Sequence, residues 1–145
     1  PYFLPPEGLL MSLCSAALRG VHVFVMLPER GDSYLTQRAS DSYLTQLLQA
    51  GVDVRRYRGG FLHSKLLVVD RRIVGIGSAN MDFRSLEINL EVMSFVYDKQ
   101  IAEELSEAFE EDLKACRQLT LEEWSGRSFW IRTLEALARL FSPLL

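Results

Sequence analysis

The chain has 145 residues, 48% of them apolar, and a formal charge of −3, so it can bury a core of its own without disulfide or metal staples. No stretch of 18 or more apolar residues occurs, so neither a membrane-spanning helix nor a secretory signal is expected within these residues, and any anchor is expected upstream of Pro1. At −3 the chain also lacks the broad basic face needed to grip duplex phosphates, so nucleic acid is not the expected partner.

The chain opens on a short strand. Residues 6–19 then predict a helix that starts on Pro5, Pro6 and Glu7 and stops at Gly20, with Leu9, Leu10, Leu13, Ala17 and Leu18 near one face. A strand over 21–27 follows and takes in His22, which reads as a strand residue. Residues 31–40 are polar and turn-like, 42–50 read as a helix ending at Gly51, and 52–57 as a short strand. The hexapeptide at 32–37 recurs unchanged at 41–46. One pair with a spacing of nine is too little for a repeat architecture and reads as a local duplication in a loop and its following helix, or as a contact loop at the mouth of a site.

Runs 61–70, 73–78 and 91–97 have strand composition, and Asp98 is placed to cap a helix over 99–117 striped by Ile101, Leu105, Ala108, Phe109, Leu113 and Cys116. Cys14 and Cys116 both fall in predicted helices among apolar neighbours and read as buried thiols, with no metal-ligand spacing around them. The tail, 128–145, is amphipathic: Trp130, Ile131, Leu134, Leu137, Ala138 and Phe141 line one face, and Arg132, Glu135 and Arg139 the other. With Trp124, Phe129 and Trp130 at its start, it suits a bilayer interface or packing on the rest of the protein. The succession predicts an α/β fold, a mixed β-sheet flanked by helices with a C-terminal amphipathic helix, divided into a body (1–118) and a tail (119–145).

Charge is uneven. Between 52 and 72 six bases (Arg55, Arg56, Arg58, Lys65, Arg71, Arg72) face two acids, whereas 98–123 holds nine acids and three bases. A phosphate-rich ligand is expected at the basic end.

Within that end lie His63 and Lys65, then Asp70, Gly77, Ser78 and Asn80, in the pattern H-x-K-x4-D-x6-G-S-x-N. In a chain this short, six fixed positions match by chance on the order of once in a few hundred thousand trials. The bland reading is a core histidine and a snorkelling lysine on an amphipathic strand. On an extended run His63 and Lys65, two apart, share one face, while Asp70 has the opposite parity and closes the strand. Asp70, Arg71 and Arg72 then form a tight connection to 73–78, antiparallel to the first run, which delivers Ser78 and Asn80 beside His63 and Lys65. Gly75 and Gly77 leave room for close approach, and 91–97 alongside brings Glu91 to the same end.

These residue types suit phosphorus chemistry. Lys65 supplies a point charge, and Ser78 and Asn80 supply directional donors, for the charge developing on a pentacoordinate phosphorus. His63 can attack phosphorus as a neutral imidazole or protonate a departing alkoxide as an imidazolium. A carboxylate on its other ring nitrogen would fix the tautomer; Glu91 is the first candidate and Asp70 the second.

The string His63, Lys65, Asp70, Gly77, Ser78, Asn80 resembles the HKD signature of the phospholipase D superfamily. The spacing of Glu91 after it resembles the carboxylate that pairs with the catalytic histidine there. The flanks 61–65, 77–86, 89–91 and 119–124, and the opening Pro1 to Pro5, are similar to the C-terminal half of bacterial cardiolipin synthases. The resemblance implies a phospholipase D-like half-domain and no metal or other cofactor. It also implies two HKD motifs facing each other, one histidine the nucleophile, His63 the acid and base. Only one H-x-K is present here, so the second motif is expected from an N-terminal part of a longer protein, the favoured reading, or from a second copy of this chain. The implied activity is transfer of a phosphatidyl group between two phosphatidylglycerols at the surface of a bacterial membrane, releasing glycerol. Hydrolysis by a phospholipase D, a single-motif homodimeric nuclease and a non-catalytic module of the same fold are the alternatives.

Overall fold

Phe3–Leu4 (β1) runs straight into the core, both side chains buried, and leads to Glu7–Leu18 (α1), which begins after Pro6. The helix stops where Gly20 takes φ +88°, the left-handed conformation suited to glycine. The computed structural model describes residues 1–144; Leu145, the end of the expected tail helix, lies outside the described residues.

Phe24–Pro28 (β2), Tyr34–Gln49 (α2) and Asp53–Tyr57 (β3) form a βαβ unit, with β2 and β3 parallel from Phe24 opposite Asp53 to Pro28 opposite Tyr57. Leu66–Val69 (β4) and Ile73–Gly77 (β5) make an antiparallel hairpin. Met81–Asp82 (β6) pairs in parallel with β1, and the Asp82 side chain accepts the Ser85 N–H at 2.6 Å to start Phe83–Glu87 (α3). Met93–Val96 (β7) adds antiparallel to β5, and Lys99–Leu113 (α4) starts on Asp98, whose carboxylate accepts the Ile101 N–H at 3.0 Å. Cys116–Gln118 (β8) pairs antiparallel with β3, followed by Leu121–Ser125 (α5), Phe129–Arg139 (α6) and a 3₁₀ turn over Ser142–Leu144. The fold is α/β with helices flanking the strands, as expected; the strands are divided among three small sheets, β1–β6, β2–β3–β8 and β4–β5–β7. One core holds Phe3, Leu4, Leu44, Leu47, Val54 and, from the tail, Leu119, Trp124 and Ala138.

Several elements differ from expectation. The strand anticipated over 61–70 is regular only from Leu66 to Val69, and 61–65 is irregular. His22 precedes β2 and is exposed rather than lying in the strand. The helix expected to run to 117 ends at Leu113, because 116–118 find a pairing partner in the open edge of β3. Cys116 is therefore a strand residue; both cysteines are free thiols and only half-buried.

The largest departure is α2, which absorbs most of the segment read as turn-like. Ser33 caps it, its hydroxyl accepting the Thr36 N–H at 3.4 Å. Both copies of the hexapeptide thus lie in or at the start of one helix, and nine residues are two and a half turns of about 3.6 residues, so identical residues face opposite sides. Tyr34 of the first copy is 65% exposed, and its counterpart Tyr43 is 6% exposed.

The acids of the two copies divide likewise. Asp32 is exposed and accepts the Tyr2 hydroxyl at 2.5 Å, whereas Asp41 is buried against the Arg56 guanidinium, which also donates to the Pro28 carbonyl at 3.0 Å. Arg38 bridges Asp41 to Glu135 of α6, 3.8 Å from each, and Arg127 forks onto Glu135. This chain of charges ties β3, α2 and α6 together. Removing one member leaves a buried charge without its partner, which costs about 3–5 kcal/mol. Asp41→Ala is expected to lower the urea unfolding free energy by that amount, and Asp32→Ala, losing one exposed hydrogen bond, by about 1 kcal/mol.

Candidate functional site

The β4–β5 hairpin is closed by a turn in which Asp70 and Arg71 take φ +52° and +51° and the Arg72 N–H donates to the Val69 carbonyl at 3.0 Å. Two left-handed central residues make this a type I′ turn, whose twist suits antiparallel strands, and aspartate tolerates that conformation better than most residues. Arg71 pairs with Glu110 of α4. Asp70 is therefore a turn residue, five positions from Lys65 along an extended chain, roughly 16 Å at ~3.3 Å per residue. The hairpin does not bring it to the other motif residues.

At the opposite end the ladder extends one step beyond β4, with the Gly77 N–H 3.4 Å from the Lys65 carbonyl. A β-carbon on Gly77 would overlap the Val92 carbonyl oxygen and lie 2.6 Å from Met93 Sδ. Only glycine lets the segment before β7 come this close. Ser78 then binds it twice through backbone and hydroxyl: its N–H donates to the Val92 carbonyl at 3.0 Å and its Oγ accepts the Val92 N–H at 3.0 Å. The hydroxyl proton goes to Glu91, Oγ to Oε2 at 2.5 Å, while Asn89 Nδ2 donates to the other carboxylate oxygen at 3.1 Å.

Glu91 is held below the ordinary carboxylate range, chiefly by the Ser78 hydrogen bond, then by Asn89, with the charge of Lys65 adding. Partial burial lowers Lys65 somewhat, opposed by the charges of Glu91 and Asp82. Lys65 Nζ donates to the His63 carbonyl at 3.1 Å. His63 itself is exposed, its ring against Phe61 with centroids 5.5 Å apart. Among the described residues its imidazole makes no hydrogen bond, so the carboxylate expected on its ring nitrogen is instead engaged by Ser78 and Asn89. Asn80 lies two residues past Ser78, with a buried side-chain carbonyl that no hydrogen bond satisfies among the described residues. Lys65, Ser78 and Glu91 are thus gathered, with His63 at their edge.

Three further features were not anticipated. Asn89 and the buried Asp82 support the cluster; the signals were the N-x-E spacing of Asn89 and Glu91 and the capping pattern of Asp82 and Ser85. Beside Phe61 an open groove of about 560 Å³ is lined by Glu29, Arg30, Tyr57, Arg58, Gly60 and Phe61. The basic end is also largely neutralised. Arg55 forks onto Asp53, Arg56 is buried on Asp41, Arg58 lies 3.7 Å from Glu29, and Arg71 pairs with Glu110. Fewer charges face a phosphate than the sequence count implies, because alternation along β3 sends neighbouring arginines to different acids.

Residues 1–113 match the family model described as cardiolipin synthase, PLD-like domain. The chain belongs to that family. Over all 145 residues it is 46% identical to cardiolipin synthase of Listeria monocytogenes and 44% identical to the major cardiolipin synthase ClsA of Bacillus subtilis. It spans about 30% of the length of these curated relatives. Among solved structures it is similar to phosphatidylserine synthase of Haemophilus influenzae (TM-score 0.75, 17% identity, covering 100% of this chain and 40% of the other). It is also similar to Nuc of Salmonella typhimurium, a phospholipase D family member (TM-score 0.70, 23% identity, 82% and 78% covered). The phospholipase D-like fold read from the motif is thereby shown.

If Ser78 is what holds Glu91 ionised, Ser78→Ala should raise the Glu91 pKa toward the ordinary glutamate value, followed by carboxyl carbon NMR across pH. The sign follows from the depressed value: the Ser78–Glu91 contact contributes stability above the ordinary glutamate pKa and loses it as pH falls through the lower folded value. Gly77→Ala should destabilise by about 2 kcal/mol or more through backbone overlap. Gly8→Ala, where a β-carbon meets nothing within 4 Å, should be neutral or stabilising by about 0.5–1 kcal/mol.

Proposed function

We propose that this chain is the half-domain of a phosphatidyltransferase of the cardiolipin synthase type, carrying one of two HKD motifs. The observation that carries the reading is the gathering of Lys65, Ser78 and Glu91 beside an exposed histidine, in a chain aligned along its whole length with cardiolipin synthases. Phosphatidylglycerol is the substrate on this reading. The partner histidine attacks phosphorus, the phosphorus–oxygen bond to glycerol breaks, and His63 gives its proton to the departing glycerol oxygen. A second phosphatidylglycerol then loses the proton of its headgroup hydroxyl to His63 and attacks the phosphohistidine, forming cardiolipin and freeing the nucleophile. Lys65 offsets charge on the phosphoryl oxygens, with Asn80 as an additional donor, while Ser78, expected as a second donor, is committed to Val92 and Glu91 and holds the carboxylate in place. Asp70 acts through the turn it makes.

The need for a second motif has a structural correlate. In the β4–β5–β7 sheet α4 covers one face; the other presents Leu67, Val69 and Phe95, all exposed, with the Phe95 ring over Gly75. Leu67 and Val69 share strand parity with Lys65. An apolar face this close to the cluster is where the second half-domain would dock and bring its histidine opposite His63. The working place is a bacterial membrane surface, where the lipid substrate resides; among the described residues no helix is long and apolar enough to cross a membrane.

His63→Ala in the complete enzyme is expected to abolish cardiolipin formation from phosphatidylglycerol vesicles while leaving the unfolding transition in place. Retained turnover overturns the assignment. Phosphatidic acid rather than cardiolipin as the product would identify hydrolysis instead.

A further inference from the structure

The tail helix packs in an orientation that its residue pattern does not suggest. Ala138 is buried together with Glu135, which is only 3% exposed, facing α2. Arg127 and Arg38 hold Glu135, and the Arg139 guanidinium lies over the Tyr43 ring, 4.1 Å from its centroid. The polar, charge-paired side therefore fastens α6 to the body. Trp130, 77% exposed, and Leu134 and Leu137, spaced four and three residues apart, are left facing outward, with Phe141 and Leu144 exposed just beyond the helix.

Two observations say what covers this stripe. Residues 126–144 carry three bases, Arg127, Arg132 and Arg139, against one acid, Glu135, a local +2 in a chain of −3, and that acid is buried. Arg127 is paired with that acid and Arg139 lies against Tyr43, so the base beside the outward ridge is the exposed Arg132. In addition, the Ser142–Leu144 turn packs against α3, after which Ile88 and Leu90 are exposed and lead directly to Glu91. The apolar surface thus continues toward the cluster of Lys65, Ser78 and Glu91.

We propose that α6 is an anionic-lipid docking helix: it lies in the plane of a bilayer with Trp130, Leu134, Leu137 and Phe141 in the headgroup boundary and the exposed Arg132 drawn to anionic headgroups. The proposal stands apart from the catalytic reading, since docking needs no chemistry at His63. It also provides the means by which a domain whose described helices do not cross a membrane reaches a lipid phosphate.

The test is co-sedimentation of the purified chain with vesicles of phosphatidylglycerol and phosphatidylcholine, and of phosphatidylcholine alone. Binding is expected to the anionic vesicles, to weaken with salt, and to drop about tenfold or more in Leu134→Ser/Leu137→Ser. Phe95→Ser, on the exposed sheet face, should bind normally. The emission of Trp130 should shift to the blue on binding while buried Trp124 stays constant, and Trp130→Phe should remove the shift. His63→Ala should bind as well as the parent, so a failure of docking and a failure of the catalytic reading are separable. Equal binding by the stripe variant and the parent, or no binding to either vesicle, overturns the proposal. So does self-association without lipid that the stripe variant abolishes, which would assign the stripe to a second copy of the chain.

Discussion

At Gly77 the segment 91–93 runs so close to β5 that no side chain fits between them, and the geometry of the cluster follows from this one approach. Because the backbones touch, Ser78 exchanges both of its hydrogen-bonding groups with Val92, and its hydroxyl proton has one direction left, toward Glu91. Asn89, two residues before Glu91, closes on the same carboxylate. The carboxylate is then stable as an anion without being buried, since its stabilisation comes from directed donors rather than from a low-dielectric pocket. Its charge, with that of Asp82, opposes the desolvation that lowers Lys65.

Strand alternation made much of this legible before any coordinates. The turn at Asp70 to Arg72 fixed the hairpin and the β-rich run after Glu91 predicted the third strand, whereas the parity expected of His63 and Lys65 falls on a segment outside the regular strand. The Ser78–Glu91 bond was not legible, because parity reports which face a side chain takes and not which neighbour it reaches. Asp70 shows the same limit. Its place in the motif groups it with His63 and Lys65, yet extended geometry carries it away from them by the length of β4. The basic end was overread for a related reason: summing charges along 52–72 assumes that each faces solvent, whereas Arg55 and Arg56, adjacent in sequence, engage a half-buried aspartate and a buried one respectively.

Helical segments were harder to place, and the duplicated hexapeptide shows why. Its two copies have identical propensities and identical local patterns, yet one is solvated and the other is core, because a half-integral number of turns separates them. Local sequence cannot distinguish them. The distinction comes from what α2 packs against, and the contacts of Asp41 with Arg56 and of Arg38 with Glu135 supply it. The tail follows the same rule. An apolar stripe is ordinarily the inward face of a helix, but here a buried glutamate with two arginine partners anchors the other side, and a fully paired charge network of this kind specifies one orientation strongly.

Two apolar surfaces remain uncovered, and their chemistry separates their partners. The sheet face is flat, built of Leu67, Val69 and Phe95, and adjoins His63. On the proposed reading a single imidazole cannot be nucleophile and leaving-group acid in the same displacement, so this face suits a packed protein surface that holds a second histidine at a fixed distance. The α6 stripe is a narrow ridge with an aromatic start and the exposed Arg132 beside it, and it holds no catalytic group in register. A fluid anionic interface satisfies such a ridge without demanding shape complementarity. If both proposals hold, a rigid partner on one surface and a fluid one on the other let two histidines face each other while their cleft stays against the lipid layer.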